Sequence, residues 1–363
     1  MLHEILTRHF FDGDTMHGAV RLSVEDGRLV NVEPTTQEVD FYLISPGLVD
    51  LQMNGFGAND VSVGDAPTLR ALDEELAHAG TTSWCGTIVT APLDRMSLIV
   101  KNLHDIWVRG NVPGFLGIHT EGPFLGQVPG AHRPDWIIPF DTQWLNELPT
   151  SVVLITVGAE QDSISQVVPH LCEKGILVSL GHSRPTKHQF TEAVEAGAKM
   201  VTHLFNGMSG VHHRDTGLAL MALNDQRITA GLIGDLVHVS PDAIALAFAA
   251  KHDRGVCLVS DSIAWKSQWA QSRGIEINAG APRLPDGTLA GSSTPLAECV
   301  ARVVQQCGVK LVDALRAATS TPADLMGATS VGRAREGKLV DLIAFDESLH
   351  VVNTWRRLPS IRA

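Results

Sequence analysis

The sequence predicts an α/β protein: a (β/α)8 TIM-like barrel with a small β-sandwich domain formed by both chain ends. Three observations support this fold. Strand-like segments alternate with helix-like segments through the middle of the chain, polar residues follow several of the strands, and both ends have strand-like composition. A doubly wound open sheet is the alternative, but polar residues after so many different strands favour the barrel.

The two chain ends are predicted to share one small domain. It comprises residues 1–45 and 331–363, and the barrel comprises residues 46–330. Turn chemistry at Asp26–Gly27 separates two strand-like runs and is typical of a hairpin. Because the carboxyl-terminal segment returns to strand composition, pairing it with the amino-terminal strands is the simplest assembly.

Eight segments are predicted as barrel strands, with helices between and after them. The strands are Leu48–Gln52, Thr81–Val89, Phe115–His119, Val152–Val157, Ile176–Leu180, Lys199–His203, Ile228–Ile233 and Val256–Ser260. The helices are Pro67–His78, Leu93–Val108, Ser163–Glu173, Thr186–Ala196, Pro241–His252, Thr294–Gln306, Leu311–Thr319 and Pro322–Met326. Ser240 gives the clearest start signal, because it is an N-cap residue followed by proline at the first helical position.

Composition argues against several classes of protein. The 363 residues include 40 acidic and 28 basic side chains, and the formal net charge of −12 disfavours nucleic acid and anionic membranes as partners. The amino terminus lacks the residue order of a signal peptide, and no apolar run reaches the roughly 20 residues of a membrane span. Five scattered cysteines without a CxxC pair indicate neither a disulfide framework nor a thiolate zinc site, so we expect a reducing cytoplasm.

Polar residues follow five of the predicted strands, and in a barrel these strand ends meet on one face. They lie in the segments Asp50–Gly55, His119–Glu121, Gly181–Ser183, Thr202–Asn206 and Ser260–Ser262. Glu121, His182 and His203 would supply one carboxylate and two imidazoles. That set suits zinc or another borderline divalent ion, with a position left open for water.

Seven motifs occur in order along the chain: PGLVDLQMNG (46–55), GIHTEGPF (117–124), LGHS (180–183), THLFNGM (202–208), GLIGDLVHVS (231–240), LVSD (258–261) and AGSS (290–293). Together they resemble the N-acetylglucosamine-6-phosphate deacetylase family of the amidohydrolase superfamily. The resemblance implies metal-dependent hydrolysis of the N-acetyl group of N-acetylglucosamine 6-phosphate, or of a close amino-sugar phosphate. The products would be glucosamine 6-phosphate and acetate.

The resemblance implies that Glu121, His182 and His203 bind one divalent metal ion, with zinc expected and iron, manganese or cobalt as alternatives. Many amidohydrolases carry a His-x-His pair on the first strand for a second metal, whereas this chain has Gln52-Met53-Asn54. A single metal is therefore expected. Gln52 would either hold the attacking water through a hydrogen bond or satisfy buried backbone groups. No motif match makes His119 a ligand, so it is expected to be structural.

The resemblance also assigns the remaining site residues. Asp261 would act as general base and acid, taking a proton from the metal-bound water and passing it to the departing amine. His132 would help polarise the acetyl carbonyl, with an ordinary loop histidine as the alternative. The substrate-binding residues would be Asn206, Gly207, Arg214, His238 and Ser292. Because some of these contacts cross a dimer interface in the family, a homodimer is implied.

One segment departs from the family pattern. After Asp261 the family usually has small residues, but this chain has Trp265, Lys266 and Trp269, which could reshape the sugar pocket or pack a lid. Two alternatives therefore remain: an amidohydrolase acting on another N-acyl sugar or amide, and a non-catalytic sugar-phosphate sensor. The presence of the four residues expected for metal binding and proton transfer argues against the sensor.

Overall fold

The computed structural model describes residues 2–252 and 254–356, and a barrel of eight parallel strands forms the centre of the described chain. The strands are Leu48–Met53, Thr81–Val89, Phe115–Glu121, Val152–Val157, Leu177–Leu180, Met200–Val201, Thr229–Ile233 and Val256–Val259. Each pairs with the next strand along the chain, which confirms the predicted barrel. The predicted small-domain residues 1 and 357–363 lie outside the described residues.

Helices pack around the barrel. They are Ala66–His78, Leu93–Arg109, Thr142–Glu147, Ile164–Glu173, Lys187–Ala196, Leu218–Asn224, Pro241–Ala250, Gln268–Ser272, Leu296–Cys307, Leu311–Ala317 and Ser320–Leu325, with short 3-10 helices at Val61–Val63 and Pro134–Trp136. The predicted cap is present, because the Ser240 hydroxyl accepts from the amide of Ala243. Within the described ranges, no helix is long and apolar enough to cross a membrane.

Three helices were absent from the sequence prediction. They are Thr142–Glu147, Leu218–Asn224 and Gln268–Ser272, and each has seven residues or fewer. So short a segment completes at most about two helical turns and gives little periodicity to detect.

The first and last barrel strands meet through an isolated bridge and through hydrogen bonds of both backbone and side chains. Both carboxylate oxygens of Asp50 lie 3.3 Å from the Ser260 amide nitrogen, and Asn54 donates its backbone N–H to Ser262 over 2.9 Å. Burial raises the pKa of Asp50 to about 6. This seam places Gln52 and Asn54 beside the segment that carries the predicted base.

The chain ends pair in one hydrogen-bonded sheet. Its seven strands are Leu2–Phe11, Met16–His17, Val20–Glu25, Arg28–Pro34, Phe41–Pro46, Leu342–Phe345 and Val351–Trp355. Side chains alternate along these strands, as β geometry requires. Ile44 and Ala344 enter a core within the sheet region, whereas Leu43, Ile343 and Phe345 join the core shared with the barrel.

A buried ion pair ties the last described strand to the barrel. The Arg356 guanidinium donates to both carboxylate oxygens of Asp73, over 2.7 and 3.2 Å, and to the carbonyl of Thr82. Trp84 Nε1 also donates to Asp73, over 2.9 Å. Both charged side chains are more than nine-tenths buried. Breaking the pair would therefore leave a buried charge without a partner, which destabilises the fold.

Replacing Arg356 with methionine would leave the Asp73 carboxylate buried without its cation. We expect the free energy of unfolding of the full chain, measured by urea denaturation, to fall by about 3–5 kcal/mol. The matched control is Arg335→Met, because Arg335 pairs with Asp12 at a surface position where 45% of its side chain is exposed. That change should cost about 1 kcal/mol or less. Equal losses in the two variants would contradict the anchoring role of Arg356.

Candidate active site

Three predicted metal ligands converge at the carboxyl ends of three barrel strands. Glu121 ends the third strand, and His182 and His203 follow the fifth and sixth. Glu121 Oε1 lies 3.1 Å from His182 Nε2 and 2.9 Å from His203 Nε2, and the two Nε2 atoms are 3.1 Å apart. All three residues are at least 95% buried, so bulk water does not screen their interaction.

Backbone carbonyls fix how both imidazoles face the carboxylate. His182 Nδ1 lies 3.0 Å from the carbonyl oxygen of Val128, and His203 Nδ1 lies 3.1 Å from that of Asn206. Since a carbonyl oxygen can only accept, each Nδ1 carries the proton. In the neutral rings both Nε2 lone pairs therefore point toward Glu121, as metal-ligating histidines require.

The electrostatics of this cluster favour a cation among the three ligand atoms. Burial opposes ionisation of Glu121, but hydrogen bonds from His182 and His203 outweigh it and hold the pKa of Glu121 well below its ordinary value. Burial likewise opposes a charged His203, yet the hydrogen bond and charge of Glu121 raise the pKa of His203 to about 9. A positive charge beside the ionised carboxylate is therefore favourable, whether a protonated His203 or a bound metal ion carries it.

The donor set fits a small divalent ion. When both rings are neutral, two Nε2 lone pairs face each other 3.1 Å apart, and a cation between them removes their repulsion. Tetrahedral zinc with ligands at about 2.0–2.1 Å separates its ligand atoms by roughly 3.4 Å, close to the spacing here. His132 offers another nitrogen, since ligand atoms of Glu121, His132 and His182 all lie within 4.8 Å of one another. Its Nε2 is 3.9 Å from Glu121 Oε1, farther than that of His203.

The backbone holds three site residues in an unfavourable conformation. His182, His203 and Asp261 have φ values of 50°, 32° and 47°, in the left-handed region that non-glycine residues rarely adopt. Strain of this kind persists where surrounding contacts determine the backbone, and it often marks functional sites. The sixth strand was predicted to run through His203 but ends at Val201, because the chain turns there.

The remaining polar residues around the cluster have distinct surroundings. Gln52 Nε2 donates to Glu121 Oε1 over 3.3 Å. His119 Nδ1 and Nε2 contact the hydroxyls of Thr87 and Thr156, which agrees with a structural role. Burial and the neighbouring His182 lower the pKa of His132 to about 3, so its ring is neutral at pH 7.

Asp261 is held from two sides in the same cavity. Asn54 Nδ2 donates to its Oδ1 over 2.9 Å, and the Ser292 amide donates to its backbone carbonyl over 2.8 Å. Burial, followed by the charge of Glu121, raises the pKa of Asp261 to about 7. Asn54 was in a quoted motif but was not identified as a site residue, because sequence alone does not show that it faces Asp261.

A second carboxylate orients His238. Asp235 Oδ2 lies 2.7 Å from His238 Nδ1, and its Oδ1 accepts from the backbone amides of Val237 and His238. Burial opposes the charge on Asp235, but the donors from His238 outweigh it and lower its pKa. The Asp-x-x-His spacing was the sequence signal that could have identified this pair.

A cavity of about 530 Å³ lies over these residues, a volume typical of small-molecule sites. Its lining includes eight of the predicted site residues: Glu121, His132, His182, His203, Asn206, Gly207, His238 and Asp261. Gly207, at φ 55°, packs so closely that an added Cβ would lie 2.8 Å from His182 Nδ1.

Three predicted site residues lie outside this lining. Gln52 is buried beneath it, and the Ser292 hydroxyl accepts from the Thr294 amide. Arg214 lies on a loop whose residues 210–216 are all exposed. A contact between Arg214 and a phosphate therefore stays a prediction.

The segment that departs from the family pattern forms part of the cavity wall. The helix Gln268–Ser272 begins within it, and a hairpin of Glu276–Asn278 with Ala281–Arg283 follows it; neither element was predicted. Trp269 lines the cavity, whereas Trp265 packs edge-on against Phe56 with ring centroids 4.8 Å apart. One tryptophan thus shapes the pocket, and the other packs the segment onto the barrel.

Comparison with known proteins gives one consistent family. The Amidohydrolase family model matches residues 43–361. The chain is 30% identical over 379 residues to a protein of Escherichia coli O157:H7 named N-acetylgalactosamine-6-phosphate deacetylase, with 98% of each chain covered. It is 33% identical over 346 residues to N-acetylglucosamine-6-phosphate deacetylase of Rattus norvegicus, covering 86% of this chain and 82% of that protein.

Comparison with solved structures indicates the same family. The crystal structure of N-acetylglucosamine-6-phosphate deacetylase from Thermotoga maritima matches with a TM-score of 0.89 at 28% identity, over 100% of both chains. Sequence, fold and a cluster that could hold a metal ion therefore agree. The chain belongs to the amidohydrolase family and is a hydrolase that acts on carbon–nitrogen bonds.

Proposed function

We propose that this enzyme removes the N-acetyl group of an N-acetylhexosamine 6-phosphate, with N-acetylglucosamine 6-phosphate as the first candidate substrate. The observation that carries the proposal is the meeting of Glu121, His182 and His203 with Asp261 around one sugar-sized cavity. N-acetylgalactosamine 6-phosphate is the second candidate, because the relative of that name aligns over 98% of both chains.

We propose zinc as the ion that Glu121, His182 and His203 hold, with iron, manganese and cobalt as alternatives. A divalent ion bound there would lower the pKa of water and polarise the amide carbonyl. Gln52 supports this site by donating to Glu121, which keeps the carboxylate oriented toward both imidazoles.

Asp261 is the proposed proton carrier. Because Asn54 occupies its Oδ1, the Oδ2 atom remains to accept a proton from the attacking water and to return it to the amine nitrogen. A carboxyl group whose pKa is raised to about 7 suits both steps near neutral pH. His132, neutral at that pH, can donate an N–H to the developing negative charge on the acetyl oxygen.

His238, Asn206 and Gly207 are the proposed contacts to the sugar. Since Asp235 fixes the Nδ1–H of His238, its Nε2 is left for a substrate hydroxyl. We further propose a homodimer, in which the exposed loop carrying Arg214 reaches a second copy, and a reducing cytoplasm, supported by five free cysteines.

The substrate is tested by an acetate-release screen on metal-loaded protein. The sugars are N-acetylglucosamine, N-acetylgalactosamine and N-acetylmannosamine, each with and without 6-phosphate. We expect turnover of at least one 6-phosphate, complete loss after chelation and recovery with zinc. If no 6-phosphate releases acetate while an unphosphorylated amide is hydrolysed well, the proposed substrate class is wrong.

Asp261→Asn should abolish proton transfer, because an amide cannot accept the proton. We expect kcat to fall about 10²- to 10⁴-fold. The metal content, measured by elemental analysis, should equal that of the wild-type enzyme. Asp286→Asn is the matched control, since Asp286 lies in an exposed turn and its side chain accepts from the Thr288 amide. Retained kcat in Asp261→Asn would exclude it as the base.

A pH profile of Asn54→Ala checks the same assignment. The Asn54 hydrogen bond favours ionised Asp261 and lowers its pKa, so its removal raises that pKa. A base must be unprotonated, and the acidic limb of kcat/KM should therefore move to higher pH. An unmoved limb would mean that another group titrates there.

A further inference from the structure

A carboxylate outside the cavity lining holds the two loops that orient His182. Glu160 lies in the turn after the fourth barrel strand, and none of the seven motifs includes it. Its Oε1 accepts from the backbone amides of Gln127 and Arg184, each over 2.8 Å, and its Oε2 accepts from the Ser183 hydroxyl. One side chain therefore joins the loop after the third strand to the segment after the fifth.

Three consecutive amides of the loop after the third strand divide between Glu160 and His182. The Gly126 and Val128 amides donate to the His182 carbonyl, over 2.9 and 3.3 Å. The Gln127 amide between them donates to Glu160 instead. The same loop presents the Val128 carbonyl to His182 Nδ1 over 3.0 Å. The contact that fixes the tautomer of His182 thus belongs to a loop whose middle residue is bound to Glu160.

Close packing leaves the Glu160 carboxylate little freedom. A Cβ added at Gly126 would overlap this carboxylate, and one added at Gly158 would overlap the backbone of Gly126. The loops after the third and fourth strands can approach this closely only because both positions are glycine. Glu160 is therefore held against the loop backbone, which limits the side-chain motion that would lengthen its hydrogen bonds.

The contact with Ser183 extends this support to the second histidine of the cluster. Ser183 donates its backbone amide to the carbonyl of Gly207 over 3.0 Å. Gly207 directly follows Asn206, whose carbonyl oxygen lies 3.1 Å from His203 Nδ1. A displaced Ser183 would therefore disturb the backbone support of both imidazoles.

The backbone of His182 needs contacts of this kind. Its φ of 50° lies in the left-handed region, which a non-glycine residue keeps only where the surrounding contacts determine it. Glu160 binds both residues that follow His182, and the loop after the third strand binds the carbonyl and the ring of His182 itself. Removing Glu160 would release both sets of contacts at once.

We propose that Glu160 is a positioning residue of the metal site. It sets the affinity for the divalent ion by holding His182 with its Nε2 lone pair toward Glu121, because a ligand that is already oriented loses less freedom when the ion binds. Its effect passes through Val128 and His182. The inference rests on the metal site of the proposed function and holds for any sugar that the enzyme hydrolyses.

The test compares the zinc dissociation constants of Glu160→Ala, Glu160→Gln and the wild-type full chain, measured by competition with a chromophoric chelator. We expect Glu160→Ala to raise the dissociation constant about 10- to 100-fold, as loss of a partner that orients a metal-ligating histidine does. Glu160→Gln keeps one oxygen for the two amides and can donate to Ser183 Oγ, so its dissociation constant should stay within about threefold of the wild-type value. This rescue separates positioning from charge, because both variants remove the same negative charge.

Asp162→Ala is the matched control for Glu160→Ala. Asp162 is an exposed carboxylate two residues farther along the same loop, so its removal should leave the dissociation constant unchanged. Urea denaturation of every variant separates lost stability from weaker binding. If Glu160→Ala does not fold, Ser183→Ala takes its place, because it removes the hydroxyl contact alone. About tenfold weaker zinc binding in Ser183→Ala would then support the inference, and unchanged binding would overturn it.

Two further results would overturn the positioning role. One is a folded Glu160→Ala that is less stable but binds zinc as tightly as the wild type, since the role of Glu160 would then be structural only. The other is equal weakening in Glu160→Ala and Glu160→Gln, since the lost charge would then explain the effect. A wild-type enzyme that binds no divalent ion would overturn the proposed metal site itself, and with it this inference.

Discussion

The contact of Glu121 Oε1 with the Nε2 atoms of His182 and His203 is the interaction on which the rest of the site depends. This contact requires that the ends of three strands lie side by side and that both imidazoles carry their proton on Nδ1. The carbonyls of Val128 and Asn206 fix that tautomer by accepting from the two Nδ1 atoms. A buried carboxylate facing two nitrogen lone pairs is costly without a cation. The barrel, its loops and the backbone hydrogen bonds to both imidazoles together arrange a cluster that could hold a metal ion.

The seam of the barrel extends this constraint to the proposed base. Asp50 accepts from the Ser260 amide, and Asn54 contacts Asp261 directly, so the closure of the barrel and the position of the base depend on the same few residues. The left-handed backbone of Asp261 is retained because contacts on both sides determine it. At this seam, contacts that close the barrel also position the proposed base.

The sequence predicted features with a local or periodic signal and missed those that depend on pairing in space. Eight strands and the Ser240 cap followed from patterning, and the convergence of Glu121, His182 and His203 followed from barrel geometry. The contact of Asn54 with Asp261 and the anchor between Arg356 and Asp73 join residues far apart in sequence. The segment after the eighth strand has elements too short for periodicity to reveal.

X-ray absorption at the zinc edge of zinc-loaded protein tests the central claim most directly, because it counts the imidazoles on the ion. We expect two imidazole nitrogens and oxygen ligands at about 2.0–2.1 Å, with no second metal at about 3.5–4 Å. His203→Gln should remove one imidazole from the spectrum, and His132→Gln should leave it unchanged. Loss of an imidazole in His132→Gln but not in His203→Gln, or a second metal scatterer, would contradict the account.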